Sequence, residues 1–242
     1  MKICAVQTRP ITGDIQGNIA THKQWIDRAV ADGAELIIFP ELSLTGYEPT
    51  LVKALATDQD DTRFDDFQAM SDANGITIGV GVPTEHEQGI CISMLLFQPH
   101  TARRVYSKSY LHPDEEAFFV RGRSAPQLQV NHTTIALAIC YEISVPEHLE
   151  SALKSGPALY IASVAKFVNG ITTALERLST VAKDCAMPVL MANCVGFADG
   201  DHCAGRTSVW NKRGSLIGQL NDADQGMLIF DTETQALIER VT

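Results

Sequence analysis

The stretch ELIIFPELSLTGY, residues 35–47, runs through four consecutive apolar side chains and then breaks at Pro40 into a polar, glycine-containing turn. Such a run lacks the alternation of a half-solvated strand and reads as a central strand covered on both faces. Cover on both faces requires further layers, and the flanking sequence supplies them. Upstream, KICAVQT (2–8) reads as a first strand, ended by Pro10 and the Thr12-Gly13-Asp14 turn. Ile19, Trp25, Ile26, Ala29 and Val30 then recur at helical spacing up to Gly33, which suits a helix C-cap. Downstream, a weaker helix over about 62–74 ends at Gly75 and leads into ITIGVGV (76–82). ICISMLLF (90–97) and RRVYS (103–107) flank the turn-like QPHTA as a hairpin. An irregular stretch precedes TTIALAIC (133–140), a helix near 146–154, ALYIAS (158–163), a helix near 172–185 and PVLMANCVG (188–196). The last third offers SVWN (208–211), SLIGQL (215–220) and GMLIF (226–230), separated mostly by glycine turns. The alternation predicts an α/β fold, and with no low-complexity linker or repeat it predicts a single domain over 1–242.

The composition agrees and narrows the function. Of 242 residues, 45% are hydrophobic and 20% charged, which rules out a disordered chain. Nineteen Lys and Arg stand against 29 Asp and Glu, a net charge of −10 with no basic run. That balance argues against a nucleic-acid or anionic-membrane partner, both of which reward clustered cations. No apolar stretch approaches the ~18 residues of a membrane span, and the opening MKICAVQTRP carries no signal-peptide pattern. Cys4, Cys91, Cys140, Cys185, Cys194 and Cys203 show no CxxC spacing, so no metal site is expected. They read as reduced thiols of a cytoplasmic protein.

Three chemically useful side chains each stand directly after a strand-like run: Glu41, Lys108 and Cys140. In open α/β sheets the ligand crevice lies outside the carboxyl ends of the strands, where neighbouring strands would bring the three together. Taken singly, each has an ordinary reading: a helix-capping carboxylate, a solvated lysine, a buried inert thiol. His112 near Lys108 and His148 after Cys140 leave room for cysteine–histidine catalysis. Neither lies in a recognisable protease signature, and both read as surface or capping residues.

Joint context decides between these readings. LIIFPELSLTGY (36–47), VYSKSYL (105–111) and LAICYEISVPE (137–147) resemble, in order and separation, the three signature segments of the nitrilase superfamily of carbon–nitrogen hydrolases. MKICAVQT resembles that family's first strand, VLMANCVG (189–196) its late strand and GRTSVWNKRG (205–214) its closing hairpin. The resemblance implies a four-layer α-β-β-α sandwich that forms a homodimer or higher homo-oligomer. It makes Cys140 the nucleophile, Glu41 the general base and Lys108 the stabiliser of the oxyanion. A second glutamate is implied at Glu115, since the FFVRG that follows keeps the family's spacing; Glu116 is its neighbouring candidate. Tyr47, Tyr141 and Lys166 are the implied substrate contacts, with no metal and no cofactor. The implied reaction is hydrolysis of a small linear carboxamide, ω-amidase-like, through a cysteine thioester with release of ammonia. N-carbamoyl or nitrile hydrolysis, or a non-catalytic binding protein, are the alternatives.

The chain also departs from the family pattern. Glu142 stands where most amidase members carry Asp, and Tyr141 where true nitrilases usually carry Trp. Lys166 lies near a position that is often Trp, Val181 replaces a common helix arginine, and Thr207 a frequent Ser. These changes leave the catalytic set intact and shift the question to the substrate.

Overall fold

The computed structural model describes residues 1–123 and 125–242. In chain order the elements are β1 (Lys2–Gln7), α1 (Ile15–Ala31), β2 (Leu36–Ile38), α2 (Val52–Leu55), α3 (Asp65–Asn74), β3 (Thr77–His86), β4 (Gly89–Phe97) and β5 (Arg104–Ser107). There follow β6 (Gln127–Val130), β7 (Thr133–Ile139), α4 (Pro146–Leu153), β8 (Leu159–Ser163), α5 (Val168–Asp184) and β9 (Val189–Ala192). The chain closes with β10 (Val195–Ala198), β11 (Asp201–Ala204), β12 (Ser208–Trp210), β13 (Leu216–Gln219), β14 (Gly226–Asp231) and β15 (Leu237–Val241).

Two sheets carry the fold. One has the order β15-β14-β1-β2-β3-β4-β5, the other β13-β12-β9-β8-β7-β6, and β10-β11 form a separate ribbon. Each large sheet is built around a parallel trio, β1-β2-β3 in the first and β7-β8-β9 in the second, with antiparallel strands outside. Strand periodicity assigns the layers. Ile3, Ala5, Leu36, Ile38, Ile92, Met94 and Leu96 join β7–β9 in the core between the sheets. Their neighbours Cys4, Val6, Ile37, Phe39, Leu95 and Phe97 point the other way, onto Trp25 and Ile26 of α1 and Phe67 of α3. On the far side of the second sheet, Ala152 of α4 and Ile171, Ala174, Leu178 and Val181 of α5 cover β7–β9. The result is the helix–sheet–sheet–helix sandwich that the family resemblance implied.

Several details differ from expectation. PVLMANCVG is two strands, β9 and β10, because the buried Asn193 side chain takes over the backbone bonding at the break: its amide Nδ2 donates to the carbonyls of Lys166 and Gly205. Helix α5 begins at Val168, four residues before the expected start near 172. Strands β6, β11 and β15 and the short α2 have no counterpart in the expected elements. His148 is buried rather than a surface or capping residue, with its Nε2 2.9 Å from the Tyr106 hydroxyl.

Candidate active site

The carboxyl ends of the two parallel trios meet. Ser163, at the end of β8, donates its hydroxyl to the Phe39 carbonyl just past β2, at 2.8 Å. Two residues on, Glu41 enters a tight turn whose next residue, Leu42, holds a left-handed backbone at φ +50°. Helix α1 braces this turn: His22 accepts at Nε2 from the Ser43 hydroxyl (2.9 Å) and donates from Nδ1 to the Asn18 carbonyl (2.7 Å). That tautomer satisfies both ring nitrogens without a charge, and burial pushes the His22 pKa down to about 3.

Lys108 follows β5 directly and its backbone N–H bonds the Ile92 carbonyl, so β4 fixes its position. Cys140 follows β7 and opens the 3₁₀ turn Cys140–Ser144 at φ +44°. A left-handed backbone at a non-glycine residue costs about 1–3 kcal/mol, a strain typical of sharp strand-to-helix elbows that project a nucleophile. Residues 113–115 form a one-turn cap in which Glu115 Oε2 accepts from the His112 N–H at 2.7 Å.

These turns bring four side chains together. Lys108 Nζ donates to Glu41 Oε1 and to Glu115 Oε1, both at 2.7 Å. Glu41 Oε2 accepts from the Ala165 N–H at 3.1 Å, and Tyr47 donates its hydroxyl to Glu115 Oε1 at 2.9 Å. The Cys140 Sγ lies 4.0 Å from the carbonyl oxygen of Ala165, the residue whose N–H holds Glu41 Oε2, and the Glu41 charge acts on the thiol. Side-chain burial is nearly complete, with Lys108 at 0%, Glu41 and Glu115 at 2% and Cys140 at 8% exposure. Glu116 instead pairs with Arg121 in solvent, so of the two neighbours it is Glu115 that reaches the lysine.

Electrostatics divide the roles. Burial opposes the charge on Lys108, but Glu41, Cys140 and Glu115 overcome it and hold the ammonium on. Burial raises the Glu41 pKa, Lys108 opposes that rise and Glu115 reinforces it, the direction that suits a base working near neutral pH. Burial and the Glu41 charge push the Cys140 thiol up to about 11, against the pull of Lys166 and Lys108. The resting arrangement is therefore a neutral thiol near Glu41, which a buried ammonium steadies.

Cys140 opens into a cavity of about 410 Å³ that Tyr47, Glu115, Tyr141 and Lys166 also line, with His112. All of the expected substrate contacts thus face one space. Asp114, Asp199 and Asp201 complete the charged lining. Neither expected histidine competitor joins the thiol: His112 packs edge-on against the Tyr141 ring, and His148 bonds Tyr106. Sequence reasoning missed two residues. Asn193 clamps Lys166 by accepting from its N–H at 2.8 Å and donating to its carbonyl at 3.2 Å. Glu142, noted only as a departure, is wholly buried behind the nucleophile turn.

Comparison with known proteins gives a consistent picture. The profile of the carbon–nitrogen hydrolase family matches residues 2–239. Among curated relatives, a glutamine-dependent NAD(+) synthetase of Aquifex aeolicus is 24% identical over 94% of this chain, which spans only 41% of that relative's length. A "Hydrolase in agr operon" of Staphylococcus aureus is 22% identical, with 92% of this chain and 88% of that protein covered. Among solved structures, the NitN amidase of Nesterenkonia sp. AN1 superposes with TM-score 0.86 at 25% identity, covering 96% of this chain and 92% of that one. A variant of that amidase, at 25% identity and TM-score 0.85 with 95% and 89% covered, carries the acetamide moiety of fluoroacetamide covalently at its active-site cysteine.

Proposed function

The chain belongs to the carbon–nitrogen hydrolase family, and from that premise we propose that it hydrolyses a small linear carboxamide through a thioester on Cys140. The observation that carries this reading is the buried ion-pair chain Glu41–Lys108–Glu115, whose charges act on a Cys140 thiol at the wall of an open cavity. Glu41 takes the thiol proton as sulfur attacks the amide carbon, so the thiolate never has to exist free at neutral pH. Negative charge then develops on the carbonyl oxygen. The Lys108 ammonium and the N–H of Tyr141, near the start of its turn where helix amides lack internal partners, are placed to receive it. One such donor is typically worth about 3–4 kcal/mol. Glu41 returns its proton to the leaving nitrogen, ammonia departs, and water activated by the same carboxylate hydrolyses the thioester. Glu115 holds Lys108 and is itself held by Tyr47 and the His112 N–H.

Lys166 narrows the substrate. It lines the cavity, it acts on the Cys140 sulfur through its charge, and among the described residues it makes no ion pair. A cation so placed favours an amide whose other end carries a carboxylate, an ω-amide of a dicarboxylic acid. Ammonia release from neutral amides, acidic amides, N-carbamoyl compounds and nitriles, measured for wild type, Cys140→Ala and Lys166→Ala, tests both parts. Wild type should prefer acidic amides, Cys140→Ala should release nothing, and Lys166→Ala should raise KM at least tenfold for acidic amides alone. Fluoroacetamide should alkylate Cys140 with loss of fluoride, read by intact-protein mass spectrometry. Full activity of Cys140→Ala would overturn the mechanism, and an unchanged KM in Lys166→Ala would remove the carboxylate.

A further inference from the structure

The side chain of Glu142 makes no contact with the cavity, yet it touches the backbone on either side of the catalytic pair. Its Oε2 accepts from the N–H of Ile139, the residue before the nucleophile, at 2.8 Å. Its Oε1 accepts from the N–H of Ser109, the residue after Lys108, at 2.6 Å. Ile139 ends a strand of the second sheet and Ser109 follows a strand of the first, and no regular ladder joins them. The Tyr106 hydroxyl donates to Oε2 at 2.6 Å, and His148 Nε2 lies 3.3 Å from the same oxygen. A wholly buried carboxylate that collects this many donors is costly to desolvate and is retained where it fixes geometry.

We propose that Glu142 is a positioning residue that sets the distance between the Cys140 thiol and the Lys108 ammonium by holding one backbone amide beside each. The inference rests on the hydrolase reading above. Glutamate has the reach to hold both amides, since from position 142 its side chain folds back three residues to Ile139 and still extends to Ser109. Tyr106 sits on the strand that delivers Lys108, and its hydroxyl fixes the carboxylate's rotation. Glu142 is wholly buried and does not line the cavity, so its loss should appear in the chemical step rather than in binding.

Glu142→Gln tests this, since it keeps the shape but turns one accepting oxygen into a donor that faces an N–H. Two readouts are taken beside far-UV circular dichroism: steady-state kinetics on the best amide, and the rate of Cys140 alkylation by iodoacetamide without substrate. The expected result is a folded protein whose kcat falls at least tenfold while KM stays within about threefold, with alkylation slowed in parallel. If that variant does not fold, Glu142→Asp carries the comparison, because it keeps the charge but is too short to hold both amides. A folded variant with wild-type kcat and alkylation rate overturns the proposal. So does a loss that follows thermal unfolding and disappears at a lower assay temperature. Should wild type release no ammonia from any amide, the hydrolase reading fails, and the alkylation comparison still decides whether Glu142 positions the thiol.

Discussion

At the scale of single residues, the proposed chemistry starts from a Cys140 thiol that is protonated at rest. Burial and Glu41 together hold its thiol at about 11, while Lys166 and Lys108 pull the other way. Reaction with iodoacetamide should therefore climb about tenfold per pH unit through pH 7–9 without levelling near the ordinary thiol value of ~8.5. Lys166→Met removes a cation that favours the thiolate, so its alkylation at pH 8 should be slower than that of wild type. A plateau below pH 8, or a faster Lys166→Met, would contradict the arrangement. What could be read from sequence at this scale has a clear boundary. Glu41, Lys108 and Cys140 stand in segments that resemble the family's signatures, and Glu115 keeps its spacing to FFVRG, so the resemblance marks all four. Glu142 and Asn193 act on backbone amides and carbonyls contributed by remote segments, and backbone partners leave no mark in a sequence.

Elements place these residues by close approach, and two glycines permit it. A Cβ at Gly81 of β3 would lie 2.3 Å from the Pro40 carbonyl oxygen and 2.4 Å from the Leu42 nitrogen, on either side of Glu41. A Cβ at Gly122 would meet the carbonyl oxygen of Ser107 at 2.4 Å, next to Lys108. Neither glycine is there for a left-handed backbone; each lets a segment press against a turn that carries a proposed catalytic residue. Gly81→Ala should destabilise by about 1–3 kcal/mol or more, and should also cut kcat at least tenfold by displacing Glu41. Urea unfolding alongside kinetics checks this, and a stable, fully active variant would show that the turn can retreat without consequence. Element prediction succeeded where a segment carries its own signal, as in β1, β2, β7 and β8, whose apolar runs need no partner to be recognised. It failed for β15, which is largely exposed and exists through its pairing with β14. It failed too for β6 and β11, four-residue strands that alternate too briefly to register against turn residues.

At the scale of the whole molecule, stability at low pH is tied to two histidines held neutral inside it. The α/β class was legible because its central strands are apolar throughout, the four-layer sandwich only through the family resemblance, and the contact between the two sheets not at all. The bond from Ser163 to the Phe39 carbonyl joins the two sheets, and His22 to Ser43 joins α1 to the Glu41 turn, and no periodicity links either pair of segments. His22 and His148 are both buried, and burial lowers their pKa values to about 3 and about 4. An unfolded histidine titrates near ~6.5, so below that pH the unfolded chain binds protons that the folded protein refuses. Their contribution to stability is fully present above about pH 6.5 and is lost as the pH falls toward the folded values, at up to about 1.4 kcal/mol per pH unit for each. Burial also raises the Glu41 and Glu142 pKa values, and these groups act in the opposite sense, since the folded protein takes up their protons first. The net slope mixes both, so the histidine part is isolated by difference. His22→Gln should be less stable than wild type at pH 7, because it loses the ring stacked on Phe39 at 4.0 Å. The gap should then shrink by about 1 kcal/mol per pH unit between pH 6 and pH 4.5, as wild type alone comes under pressure to charge a buried imidazole. Urea unfolding of both proteins across that range measures it. A gap that stays constant with pH would mean that His22 takes up its proton without leaving Ser43, and that the brace on the Glu41 turn does not depend on a neutral ring.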